Sequence, residues 1–262
     1  MGFLNQAYQT IQVEVQPPIC TLRFHRPEAR NTINDQLIEE CRQVVAALDS
    51  SLTILVIEGS PEVFCFGADF QQIHRVQAEG VRSEQDPGPL YDLWLQLACG
   101  PFISVAHVRG QANAGGIGFV AACDIVLADT SAVFSLSELL FGLYPACVLP
   151  FLVRRIGLQK AHYMTLTTQP VSADQARQWG LVDACEADSK DLLRRHLLRL
   201  RRLSKPALAR YKEYLGRLDD SLLRARAHAL AGNREVFSDA RNLRLISRYV
   251  QTGLFPWEEG DR

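Results

Sequence analysis

Two short glycine-bearing runs look built to expose backbone: Gly67-Ala68-Asp69 within "FCFGADF", and Ala114-Gly115-Gly116 within "NAGGIGF". Each follows a strand-like apolar run and opens a helix-like one. At a helix start the first amide N–H groups have no intrahelical partner, and the helix dipole adds positive potential there. Small residues let an outside oxygen come close to such donors. Two donors from separate turns could hold one carbonyl oxygen as it becomes an oxyanion. From spacing alone, ordinary tight strand-to-helix turns account for both runs and are the commoner case. A carboxylate, Glu138, lies between "VFSLS" and "LLFGLYP". A solvated surface glutamate is one possibility. Embedded in that apolar neighbourhood, its charged form would be disfavoured and its pKa raised.

These groups need a frame. "YQTIQVEV" and "CTLRFH" alternate in strand fashion around the turn "QPP", which predicts an N-terminal hairpin. Asn34 is placed to cap a helix whose stripe is Leu37, Ile38, Cys41, Val44, Val45 and Leu48. "LTILVIEG", "FISVAHVRG" and "DIVLAD" are continuous apolar runs that suit strands buried on both faces of a parallel sheet. With "QANAGGIGFVAAC" as turn and helix between the last two, the order suggests βαβ units. Beyond about residue 146 the strand signals fade. "VSADQARQWGLVDA" starts on a Ser172 cap, and "DLLRRHLLRLRRL" and "KPALARYKEYLGRL" are helical with basic outer faces. The fold class is therefore α/β, with a helical tail. The segment 77–90, rich in Gly, Pro and acid, is expected to be a mobile loop.

The chain has 262 residues, 47% of them apolar and 22% charged, with a formal charge of −1. That size buries a sizeable core without staples, and the charge balance gives no bulk affinity for nucleic acid or membrane. The seven cysteines, at 20, 41, 65, 99, 123, 147 and 185, include no CxxC pair. They predict free thiols in a reducing cytoplasm, with neither a disulfide framework nor a metal site. The N-terminus lacks the pattern of a signal peptide. The longest apolar stretch, near 112–128, is interrupted by Asp124 and is too short to span a bilayer.

Taken together, "FHRPEARNTIN", "FCFGADF", "VRGQANAGGIGFVAACDIVLAD", "FSLSELLFGLYP" and "VSADQARQWGLVDA" resemble the crotonase, or enoyl-CoA hydratase/isomerase, superfamily over most of the chain. The resemblance implies a ββα spiral core over 1–190 and a C-terminal helical trimerisation or lid region over 191–262. It puts the two oxyanion donors on the backbone N–H groups of Ala68 and Gly115. Asp69 follows the first donor and is expected to cap a helix. Of the two glutamates of the family's hydratases, the second falls on Glu138 and the first on Gly118. The chain departs from the pattern there, which puts ordinary hydratase action in doubt.

"RNTINDQLIEEC", "EVFCFGADF", "NAGGIGFVAA" and "FSLSELLFGLYPACVLPFLVRRIG" further resemble the hydratase-like dehydratases of polyketide β-branching cassettes. That likeness implies loss of water from 3-hydroxy-3-methylglutaryl-ACP to give 3-methylglutaconyl-ACP, with Glu138 as sole acid and base. Gly118 would leave room for a branched C3. The decarboxylase sister carries a tyrosine and a lysine where this chain has Gln72 and Val76, which argues against decarboxylation. His74 and Arg75 are candidates for holding the substrate's free carboxylate, a solvated helix face being the plainer account. Tyr144 is either a donor to the leaving hydroxyl or a packing tyrosine. Cys147 and His107 are expected in packing roles, His107 as a satisfied core histidine. Gly116 belongs with the second turn.

The resemblance implies no cofactor beyond the phosphopantetheine of ACP or CoA that carries the substrate. It implies an acyl carrier protein as partner, with arginines of "LVRRIG" and "DLLRRHLLRLRRLSK" as docking candidates, and a homotrimer or hexamer. A CoA-linked isomerase or hydratase and a non-catalytic acyl-thioester scaffold are the alternatives.

Overall fold

In the computed structural model, residues 7–78 and 86–258 are described. The hairpin forms as the alternation predicts: β1 (Ile11–Gln16) pairs antiparallel with β2 (Ile19–Phe24) around Pro17-Pro18. Then come α1 (Asp35–Ala46), β3 (Ile54–Glu58), β4 (Val63–Cys65), α2 (Phe70–Ala78) and α3 (Gly88–Cys99). β5 (Ile103–Val108), β6 (Gln111–Asn113), α4 (Gly115–Ala122), β7 (Ile125–Asp129) and β8 (Val133–Ser135) follow. A 3-10 turn, Glu138–Phe141, precedes α5 (Leu149–Thr167), β9 (Val171–Ser172), α6 (Ala173–Gln178) and β10 (Ala184–Glu186). Four helices end the described chain: α7 (Ser189–Leu200), α8 (Lys205–Leu218), α9 (Ser221–Ser238) and α10 (Ala240–Thr252). No described helix is long and apolar enough to cross a membrane.

The strands form two sheets, β1-β2-β3-β5-β7-β10 and β4-β6-β8-β9. From β2 through β10 the large sheet is parallel. Successive units put one strand in the large sheet, the next in the small sheet, and then a helix, which is the ββα spiral expected from the resemblance. The continuous apolar runs are explained by burial on both faces. Leu55, Ile57, Ala106, Val108, Val126 and Ala128 face the main core, while Ile54, Val56, Ile103, Val105 and Leu127 pack under Leu192 of α7 and Leu208 of α8. At the start of α1, the Asn34 side chain accepts from Leu37 N at 2.8 Å, as the cap signal predicts.

Three elements differ from the sequence-based expectation. The short strands of the small sheet carry no period of their own, and the hydrophobic pattern does not predict them. α3 begins inside the segment expected to be a loop over 77–90; α2 runs into that segment from the other side, and residues 79–85 lie outside the described residues. The helices beyond residue 190 share the core, since Leu222, Ala229 and Leu230 of α9 belong to the main cluster.

Lys212 of α8 shows how deeply the tail is built in. Its Nζ, buried, donates to Asp124 Oδ2 at 2.8 Å and to the Phe102 carbonyl at 2.9 Å. Removing Lys212 would leave Asp124, whose side chain is partly exposed, with its hydrogen bonds from Ser104 N and Oγ alone. Lys212→Met is expected to lower unfolding stability by about 2 kcal/mol, read as a shift in urea midpoint at unchanged slope. A loss below about 1 kcal/mol, the range of surface pairs, would show that the tail is anchored elsewhere.

Candidate active site

The first exposed turn is made by a lone bridge. After β4 the chain passes through Gly67 at φ +91°, a conformation L side chains avoid. Ala68 then forms an isolated parallel bridge with Ile33. Ile33 N donates to Gly67 O at 2.7 Å, and Asp69 N donates to Ile33 O at 3.1 Å. This pattern uses the groups on either side of Ala68, so the N–H of Ala68 itself faces away from the bridge. Asp69 caps α2, its Oδ1 accepting from Gln72 N at 3.0 Å. Its Oδ2 accepts from Arg26 at 2.8 Å in a buried ion pair. The Asp69 carboxylate is thus occupied in holding the turn.

The second turn lies against the first. Ala114 N donates to Ser135 O at 3.0 Å, and Ala114 sits at φ 50°, ψ −119°. A non-glycine residue held there costs on the order of 1–3 kcal/mol and is characteristic of functional sites. Gly115 opens α4, so its N–H has no intrahelical partner. Each bare amide therefore directly follows a residue of positive φ. A Cβ on Gly67 would lie 2.7 Å from the Ala114 Cβ and 3.3 Å from Gly115 N. Gly116 serves packing instead. A Cβ there would lie 2.3 Å from the Cys65 carbonyl oxygen, so its bareness seats α4 on β4.

Glu138 arrives through the small sheet. β6 and β8 pair in parallel with Asn113 opposite Ser135. The Asn113 side chain accepts from Ser135 Oγ at 2.8 Å and donates to Ser137 Oγ at 2.9 Å. It thereby ties the residue before Glu138 to the strand that leads into Gly115. No sequence pattern singles out Asn113, although it stands directly before the Ala114-Gly115 turn. Glu138 begins the 3-10 turn. Its Oε2 is buried with no hydrogen-bond partner among the described residues. Burial pushes the carboxyl up to about 7, against a smaller downward pull from the backbone N–H groups of Glu138 and Ser137. A carboxyl poised there can take or give a proton near neutrality.

The other candidate residues are placed elsewhere or already engaged. His74 Nδ1 lies 3.0 Å from Ser247 Oγ, which itself donates to Gln77 Oε1, so this histidine joins α2 to α10. Arg75 is exposed on the outer side of α2. The Tyr144 hydroxyl donates to Glu235 Oε2 of α9 at 3.3 Å, and burial and Glu235 raise its pKa. Gly118 is buried beneath the indole of Trp94, so the room expected there for a branched substrate is occupied by protein. Trp94 is missed by the sequence reading, although Tyr91, Trp94, Leu97 and Ala98 repeat at helical spacing.

Cys147 is packed, its thiol pushed up to about 12 by burial and donating to Ala229 O at 3.6 Å. His107 is only half satisfied. Its Nδ1 lies 2.7 Å from Glu58 Oε1, while Nε2 is buried without a partner among the described residues. Burial alone would raise Glu58, but the hydrogen bonds and charges of His107 and Arg23 outweigh it and hold the carboxyl at about 2.

α10 folds back over this region. Ile246 joins Ile73, Phe141, Leu143 and Val236 in a small cluster against which Ala68 and Tyr249 pack. The first donor turn and the Glu138 turn are therefore roofed by the last helix of the same chain.

Comparison with known proteins shows the family of the chain. The family described as enoyl-CoA hydratase/isomerase matches residues 14–260. The chain is 58% identical over 253 residues to the bacillaene synthase dehydratase PksH of Bacillus subtilis (strain 168), covering 96% of this chain and 98% of that protein. It is 31% identical over 235 residues to a 2,3-dehydroadipyl-CoA hydratase of Escherichia coli (strain K12), covering 86% and 88%. Among solved structures, a putative polyketide biosynthesis enoyl-CoA hydratase (pksH) from Bacillus subtilis superposes with a TM-score of 0.93 at 58% identity, over 95% of this chain and all of that one.

Proposed function

The chain belongs to the enoyl-CoA hydratase/isomerase family, and on that premise we propose that it dehydrates 3-hydroxy-3-methylglutaryl-ACP to 3-methylglutaconyl-ACP in polyketide β-branching. The observation that carries the proposal is Glu138, a buried carboxyl with a free oxygen and a pKa raised to about 7, tied by Asn113 to two touching turns with bare amides.

The amides of Ala68 and Gly115 hold the thioester oxygen, and charge moving onto that oxygen makes the C2 proton acidic. Glu138, ionised, takes that proton. The electron pair left on C2 then forms the C2=C3 double bond as the C3–O bond breaks. The leaving hydroxyl collects the proton from Glu138 and departs as water, which returns Glu138 to its carboxylate. A pKa near 7 suits both halves, since neither ionised nor protonated Glu138 is costly at neutral pH. Asp69, His74, Gly116, Gly118 and Tyr144 serve as scaffold, and Arg75 is the one exposed cation on α2 left for an acidic group.

The substrate brings its own phosphopantetheine, so no cofactor is required. Docking of an acidic carrier protein falls to Arg154, Arg199, Arg201 and Arg202, which are exposed and form no ion pair among the described residues. Arg155 is removed from the docking set, because it is engaged with Leu181 O, Cys123 O and Asp183. Tyr211, Tyr214, Leu215 and Leu218 form an exposed apolar row on α8, which supports a trimeric or hexameric assembly. A cytoplasmic location suits the seven unpaired cysteines.

The test is to incubate the protein with 3-hydroxy-3-methylglutaryl-ACP and weigh the acyl chain. Loss of one water is the expected result. Loss of carbon dioxide would point to decarboxylation. An unchanged acyl chain, with turnover of an unsaturated acyl-CoA instead, would replace the proposal by the CoA-linked isomerase.

A further inference from the structure

Position 118 lies one helical turn beyond the Gly115 donor, on the same side of α4. A Cβ placed there would meet Trp94 Cη2 and Cζ2 at 2.3 Å and Cε2 at 2.8 Å. The indole cannot swing aside freely. It is 1% exposed and is held edge-to-face against Phe119 and Phe151, with centroids 5.7 Å away in both cases. These distances put the Cβ over the face of the six-membered ring, so the indole lies flat across position 118. The indole N–H is buried without a hydrogen-bond partner among the described residues.

We propose that Trp94 and Gly118 act together as the specificity determinant of the site. The indole occupies the volume into which any side chain at 118 would project, so the donor-bearing helix cannot carry a second acid or base beside the acyl chain. Glu138 is left as the sole proton-transfer group, and elimination is served while attack by an independently activated water is not. The inference rests on the role given to Glu138 above.

Two double-variant cycles in the full chain test it. In the first, Gly118→Ala is measured by thermal unfolding with Trp94 present and in Trp94→Leu. The shared volume predicts a Tm loss of roughly 5 °C with Trp94 and less than half of that with leucine. Equal losses in both backgrounds would overturn the proposal. In the second, Gly118→Glu, Trp94→Ala and the double variant are assayed for water addition to crotonyl-CoA across pH. The double variant is expected to exceed either single variant by about tenfold or more, with a second ionisation in its pH profile. A folded double variant no faster than the single variants would also overturn it. If the double variant does not fold, the stability cycle decides. Water loss from 3-hydroxy-3-methylglutaryl-ACP by the unsubstituted protein is followed alongside, so failure of the functional proposal shows there and not in the cycles.

Discussion

Glu138→Gln is expected to cut dehydration by about 10³-fold while binding of the acyl-ACP stays close to that of the unsubstituted protein. Glutamine keeps the shape of the side chain and leaves both donor turns in place. It can neither accept the C2 proton nor return one. The unsubstituted enzyme should gain rate as pH rises through about 7, where Glu138 ionises; the variant's residual rate should lack that step.

Stability should move the other way. The folded carboxyl titrates near 7, above its ordinary value of 4.5. Between those values the unfolded chain releases a proton that the native state retains. The native state therefore loses stability as pH rises from about 4.5 to about 7 and does not regain it above. Glutamine removes this titration. The variant should gain on the order of 2–3 kcal/mol at about pH 8 and almost nothing near pH 4, measured by denaturant unfolding at both. A variant that keeps a tenth of the rate would remove Glu138 from the mechanism; a stability change equal at both pH values would show that its carboxyl is not raised.

Gly67→Ala carries the second large effect. Alanine at φ +91° costs roughly 1–2 kcal/mol in backbone strain alone. Its methyl would also lie 2.7 Å from the Ala114 Cβ and 3.3 Å from Gly115 N, so the two turns must part. Two donors that no longer converge stop stabilising one oxyanion. The loss of a single such donor costs about 10²-fold in kcat or more, and the same scale is expected here. KM should change less, because the oxygen carries its full charge only in the transition state. The measurement is steady-state kinetics together with a thermal melt. Unaltered kcat in a folded variant would show that the two turns do not share a ligand.

Much of this was legible one residue at a time. Asn34 announces its cap, and the unbroken apolar runs at 54–58, 103–108 and 125–129 announce strands covered on both faces. Gly67 marks a turn that L side chains avoid, Gly115 marks a second bare turn, and the apolar flanks of Glu138 foretell its raised pKa. These are local signals, carried by backbone propensity and by the company of near neighbours.

What stayed hidden depends on partners far apart along the chain. β4, β6 and β8 have three residues each, too few for a period, and exist because their neighbours supply the other half of each ladder. Asn113 reaches Ser137 across paired strands. Arg155 looks like surface charge until it meets the carbonyls of Cys123 and Leu181. Gly118 is a bare position in the sequence, and only packing supplies the indole that fills it. The sequence alone determined which residues are small, acidic or apolar enough for a site of this kind. The tertiary structure decided which of them meet, because contact between distant segments follows from how sheets and helices stack and not from spacing within any one of them.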